Sequence, residues 1–213
     1  MRHAVHDDSR MRTCDLLEHL LVDPSTSHLP APIAAHSADT LAVAITTGTA
    51  TINLKNGDDS VTSTSTGGTL IVDGGAGKDT YNLAAGGAEI NIINVTTLSD
   101  MKVTAIANAA ALTVALSAQA YELVTNFTTG TDEFNMDDMG LSNISTLQTD
   151  RTLAYNQLAS NDVVILSEGG VDFDNDTETN DYYLIVDTAG DHSSVGIFKI
   201  DSAAIAGADI DIV

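Results

Sequence analysis

The sequence predicts an all-β chain, built as a short parallel β-roll followed by an antiparallel β cap and preceded by a poorly ordered or short-helical leader. Three observations predict it. Glycines recur in steps of roughly ten residues between Gly57 and Gly87. Short runs rich in Thr, Ile, Val and Leu fill the intervals between them. Aromatic residues make up only 4% of the chain and Trp is absent, so a core must be filled by β-branched and small side chains, which suit flat stacked layers.

Residues 1–38 form the expected leader. They hold five of the six histidines, all three prolines and the single cysteine, Cys14, which can form no internal disulfide. Leu16, Leu17, Leu20 and Leu21 recur at helical spacing and predict a short helix from about Met11 to Val22, ended by Pro24. The histidines have no regular ligand spacing. The stretch has charges inside its only Leu-rich run and no small-residue cleavage site, so it does not read as a secretory signal peptide.

Residues 39–94 form the expected roll. Thr51–Leu54, Thr69–Val72, Thr80–Leu83 and Glu89–Ile92 read as short strands, with glycine corners between them. Residues 95–213 form the expected cap. Alternation at Leu112, Val114 and Leu116 reads as further strands, with a helix over Ala105–Ala120 as the competing reading. Val163–Leu166, Tyr182–Val186 and Ile197–Ile200 then read as three antiparallel strands.

The formal net charge is −22, from 30 acidic and 8 basic residues. Such a surface repels nucleic acid and anionic membranes, and no apolar run reaches the roughly 18 residues of a bilayer span. Most of the acid is Asp, the short carboxylate of turns and oxygen-ligand cation loops, which makes calcium the first ligand to consider. A solubilising surface of a secreted or halotolerant protein is the plainer reading of the same charge.

Gly74-Gly75-Ala76-Gly77-Lys78-Asp79-Thr80-Tyr81-Asn82 fits the nonapeptide G-G-x-G-x-D-x-U-x at every specified place. Such a loop turns carbonyl oxygens and one carboxylate to the same side, while Tyr81 starts an inward-facing strand. A hard cation wants six to eight oxygens, so a second loop must stack on the first. Lys55-Asn56-Gly57-Asp58-Asp59-Ser60-Val61 supplies the second half of the motif. The candidate ligands are therefore Asn56, Gly57, Asp59, Gly74, Ala76 and Asp79. The separation of 20 residues between Asp59 and Asp79 exceeds by two the coil of about 18 that two nonapeptides imply, which predicts a bulge.

From about Thr51 onward the sequence resembles the C-terminal region of RTX (repeat-in-toxin) proteins, including the roll and cap of serralysin-type tails. The nonapeptide carries the resemblance, together with Val124–Phe134, Asp181–Asp191 and the acidic-then-apolar ending Ala208–Val213. The resemblance implies calcium binding outside the cell and one-step export by type I secretion machinery that reads an uncleaved C-terminal signal. It therefore implies a secreted or cell-surface location.

Asp172, Asp174 and Asp176 alternate like the start of an EF-hand loop, but the twelfth position is Tyr183, so this is either an irregular calcium loop or a solvated turn. The same two readings hold for Asp187 with Asp191. H-E-x-x-H, G-x-S-x-G and phosphate-loop patterns are missing, and His192 is the lone histidine after His36, so no enzyme is expected. The expectation is a calcium-binding exported region that folds when it meets calcium. The alternatives are a surface-layer or adhesin segment that self-assembles through calcium, and the non-catalytic tail of a secreted protease or lipase.

Overall fold

A computed structural model of the protein describes residues 18–21, 38–85, 88–101, 103–159, 162–201 and 203–212. Between residues 40 and 94 the chain steps back and forth between two sheets. Strands β2 (Thr40–Ala44), β4 (Ser60–Ser63) and β6 (Thr80–Asn82) lie side by side in the first. Strands β3 (Thr49–Asn53), β5 (Thr69–Asp73) and β7 (Ile90–Asn94) do so in the second, and all these pairs are parallel. β1 (Glu18–Leu21) adds to the outer edge of β2.

Alternation explains the arrangement. Leu41, Val43, Val61 and Tyr81 point inward from the first sheet and Ala50, Ile52, Leu70, Val72 and Ile93 from the second, so the two buried faces share one apolar core. Thr40 pairs with Ser60 and Ser60 with Thr80, while Thr49 pairs with Thr69, which fixes a repeat of 20 residues. The predicted bulge is absent from the Asp59 and Asp79 corners. Twenty residues is the native coil.

Both sheets continue past residue 94. β9 (Glu122–Thr125) pairs in parallel with β6, and β10 (Glu133–Asn135) with β7. The first sheet then takes in β13 (Val195–Asp201), parallel to β9, followed by β12 (Tyr182–Val186) and β11 (Val163–Ser167), both antiparallel. Short β8 (Val103–Thr104) pairs with β13, and β14 (Ile210–Asp211) pairs with β10 at the edge of the second sheet. Among the described residues the result is one nine-stranded and one five-stranded sheet.

Helices α1 (Ala109–Ser117) and α2 (Arg151–Leu158) cover the outer face of the first sheet at its β11, β12 and β13 end. Leu112, Leu116, Ala154 and Leu158 pack there against Val164, Leu166, Tyr183, Ile185 and Ile197. With both faces covered, all of β11 is buried, as its unbroken apolar run requires.

Three expectations are thereby corrected. The all-β roll with a separate antiparallel cap is replaced by an α/β-like arrangement of two mostly parallel sheets and two helices, because the first sheet runs unbroken from its parallel strands into its antiparallel ones. The stretch around Leu112, Val114 and Leu116 is helix, not strand. Leu112 and Leu116 stand one turn apart and are buried while Val114 is 66% exposed, so a period of two was read where an i, i+4 pair stood. Alanine's helix propensity and the Asn108 side chain, which accepts from Ala111 N–H at 2.9 Å, decide the outcome. Within the expected leader helix, Glu18–Leu21 is a strand, because β2 offers it a parallel edge. The remainder of that helix lies outside the described residues.

Candidate metal centre

The corners before β4 and β6 stack as the two half-motifs require. Asn56 and Ala76 form a parallel bridge, with Gly57 N–H donating to Ala76 O at 2.9 Å and Ala76 N–H donating to Lys55 O at 2.7 Å. Gly75 has φ +78°, and a Cβ there would lie 1.8 Å from the Lys55 carbonyl oxygen. Only glycine lets the corners approach this closely.

The carboxylates form a ladder. Asp59 Oδ1 accepts from Asp39 N–H at 2.7 Å, Asp79 Oδ1 accepts from Asp59 N–H at 2.8 Å, and Glu122 Oε2 accepts from Asp79 N–H. Each acid therefore caps the backbone of the coil before it. Oδ2 of Asp39, Asp59 and Asp79 is buried with no hydrogen-bond partner. Asp59 and Asp79 are 2% and 1% exposed, so bulk solvent does not reach these orphaned oxygens. Burial, partly opposed by the Asp39 N–H and reinforced by the Asp39 and Asp58 charges, pushes Asp59 up to about 6. Burial and the charges of Asp59, Asp58 and Asp73 push Asp79 up to about 7, against the Asp59 N–H.

Of the six motif residues, the structure brings Asn56, Gly57, Ala76, Asp59 and Asp79 to this one corner line. Gly74 serves packing: its N–H donates to the Tyr81 hydroxyl at 3.1 Å, and a Cβ would strike Asp79 Oδ2 at 2.1 Å.

A pH prediction follows with a definite sign. A carboxyl raised above its unfolded value stabilises the fold when protonated, and that contribution is lost as pH rises through the folded value. In chelator, the melting temperature should fall between pH 5 and pH 8, through the region of about 6 to 7 set by Asp59 and Asp79. A melting temperature that rises steadily over that interval contradicts the ladder's protonation.

A second acidic group lies in the loop between β11 and β12. Glu168, Asp174 and Asp181 place ligand oxygens within 4.8 Å of one another, as do Asp172, Asp174 and Asp176, and Asp176, Glu178 and Asp181. These clusters could hold a metal ion. A protein cation already stands among them: Lys199 Nζ lies 2.8 Å from Asp174 Oδ2 and 2.9 Å from Asp181 Oδ2, and also pairs with Asp176. Lys199 is 3% exposed. Burial alone would lower its pKa, but hydrogen bonds to Asp174, Asp176 and Asp181 hold it above the ordinary lysine range. Burial pushes Asp176 up, yet the Lys199 bond and charge outweigh it and hold that carboxyl below its usual range.

The neighbouring hydroxyls complete the group. Tyr121 OH donates to Asp174 Oδ2 at 2.7 Å and Tyr183 OH to Glu168 Oε1 at 3.0 Å. Burial raises Glu168, against N–H donors from Phe173 and Asp181. Asp172 closes its own turn by accepting from the N–H groups of Asp174, Asn175 and Thr177. Asp187 and Asp191 are not brought into a metal cluster. Asp187 accepts from the Ala189, Gly190 and His192 N–H groups and pairs with His192 Nδ1 at 2.8 Å, and Asp191 accepts from Ser193 N–H.

Sequence reasoning missed Asp39, Glu122, Glu168, Asp181 and Lys199 as site residues. Asp39 alone left a signal, since it stands 20 residues before Asp59 at the same place ahead of a strand. Glu168 and Lys199 reach the 172–178 loop through strand pairing, and no local spacing announces that. No protein-family model matches the sequence, and a search of curated proteins finds no relative. Among the described residues, no helix is long and apolar enough to cross a membrane.

Proposed function

We propose that this chain is a non-catalytic, calcium-binding region of an exported RTX-type protein, acting outside the cell as a folding switch. The observation that carries the reading is the row of buried, partnerless Oδ2 atoms of Asp39, Asp59 and Asp79, the last two at stacked glycine corners. Hard oxygens with concentrated negative charge suit calcium over softer-ligand metals. Asp59 and Asp79, on successive coils, would hold the ion, and waters and carbonyls of the corners would complete its shell. The ion would supply the positive charge that these carboxylates lack among their described neighbours.

The switch follows from solvation. Without the ion, the buried carboxylates of Asp59 and Asp79 repel each other away from bulk solvent. Sites of the extracellular class, with dissociation constants on the order of 10⁻⁴ to 10⁻³ M, are empty at cytosolic calcium and filled outside. The export-competent chain is then the looser, ion-free one, which suits delivery through type I secretion machinery to a secreted or cell-surface location. The net charge of −22 also favours uptake of cations over anionic partners.

Thermal melting of the intact chain at pH 7.5, in chelator and in 10 mM calcium, tests the reading. Ten to a hundred times the dissociation constant stabilises by roughly 1.4–2.7 kcal/mol per site, or about 3–10 °C for a chain of this size. An unchanged melting temperature and far-ultraviolet spectrum would sink the proposal.

A further inference from the structure

At the opposite corners of the coils, where the chain passes from the first sheet to the second, we infer a separate divalent-cation site built by Glu89, Asn91 and Asp132. Of its residues only Asp132 fits the glycine half-motif, two after Gly130. Glu89 and Asn91 are two apart on either side of the exposed Ile90, so both turn inward at the start of β7, where they are 3% and 0% exposed. Asp132 precedes β10, and the pairing of Glu133 with Ile92 sets it directly opposite Asn91.

The hydrogen bonding fixes the donors and leaves acceptors over. Asp132 Oδ1 accepts from Asn91 N–H and from Asn91 Nδ2, both at 2.9 Å, and Asp132 Oδ2 accepts from Thr128 N–H at 2.8 Å. The Asn91 amide is therefore oriented with its nitrogen on Asp132 and its oxygen turned away. That Oδ1 is buried without a partner, and so is Oε2 of Glu89. Two orphaned oxygens from buried side chains stand near a second carboxylate, Asp132, which feels the charge of Glu89, so the donor set is all oxygen and carries two negative charges.

The chemistry selects the occupant. A buried acceptor with no donor is destabilising, because it has given up its water without a replacement. Here the orphaned Glu89 and Asn91 oxygens lie near the Asp132 carboxylate, and neither Glu89 nor Asp132 has an ion pair among the described residues; Lys199 and His192 pair with other acids. An oxygen-only donor set with an amide carbonyl and two carboxylates takes calcium, with waters filling the remaining positions. Bound there, the ion ties the start of β7 to the start of β10. This site lies at the corners away from the Asp59 and Asp79 ladder and draws on none of its atoms.

Calorimetric titration of the intact chain with calcium tests it, using Asp59→Asn with Asp79→Asn as the background. That background removes the ladder's charge and, with Lys199 already standing among the carboxylates of the 168–181 loop, should keep its strongest calcium-binding event at this corner. Adding Glu89→Gln should weaken the remaining event at least ~10-fold, because affinity in oxygen sites follows ligand charge. Adding Asn91→Asp instead should tighten it by about as much, a gain that no structural role for the amide would give. A background variant with no residual binding, or residual binding that Glu89→Gln leaves unchanged, overturns the site. If Glu89→Gln fails to fold, Asn91→Asp decides: tighter binding supports the site, and unchanged or weaker binding overturns it. Failure of the ladder reads differently, since the background would then titrate like the unaltered chain.

Discussion

Replacing Lys199 with Met should lower stability by about 3–5 kcal/mol, the cost of leaving buried carboxylates without their cation. For a chain of this length that is a fall of roughly 6–20 °C in melting temperature. Lys199 stands in the middle of β13 and pairs with three carboxylates of the 168–181 loop, two of which, Asp174 and Asp181, are 2% and 0% exposed. Methionine matches the length of the stem but supplies no charge, so Asp174, Asp176 and Asp181 must then protonate, repel or find another cation. Thermal melting in chelator measures the loss. Because the same oxygens have metal-ligand spacing, millimolar calcium should restore part of the stability to the variant and add less at this loop to the unaltered protein. A variant that melts like the unaltered chain in chelator would show that the lysine is not the loop's counter-charge.

Gly75→Ala should cost roughly 2–5 kcal/mol, adding left-handed backbone strain to a backbone clash. At φ +78° the new Cβ would lie 1.8 Å from Lys55 O, a main-chain atom held by the neighbouring coil. The corner before β4 cannot retreat, because Lys55 O and Gly57 N–H both bond to Ala76. Gly130→Ala is the control: its φ is +77° but a Cβ there meets nothing within 4 Å, so only the strain applies, about 1–2 kcal/mol. Denaturant melts of the two variants separate clash from strain. Equal losses would show that the corners are not tightly stacked.

The legible part of the molecule was the part whose physics is local. A glycine corner that needs positive φ, and an aspartate set one residue before a strand, leave marks at fixed spacing, so the stacking of the Asn56 and Ala76 corners was readable from the motif. The three apolar runs that became β11, β12 and β13 were readable as strands for the same reason. Their incorporation into the same sheet as β2, β4 and β6 was not, since it rests on the parallel pairing of Phe198 with Glu122 across some seventy residues. The helix over Ala109–Ser117 was obscured because spacing of two and of four coincide in a run of Leu, Val and Leu. Lys199 lay hidden within an apolar run, and only the sheet carries it to Asp174. Asp132 follows Gly130 at the spacing of the half-motif, but Glu89 stands at a corner without that half-motif, and a lone acid before a strand reads as an ordinary turn.

Replacing Asp59 and Asp79 together with Asn tests the central claim most directly. Asparagine keeps the Oδ1 acceptor that caps the preceding coil and removes the buried charge. Melting at pH 8 should show the double variant more stable than the unaltered chain in chelator, and the ladder's share of the gain from calcium should vanish. A double variant that is less stable in chelator while keeping the full calcium response would contradict the account.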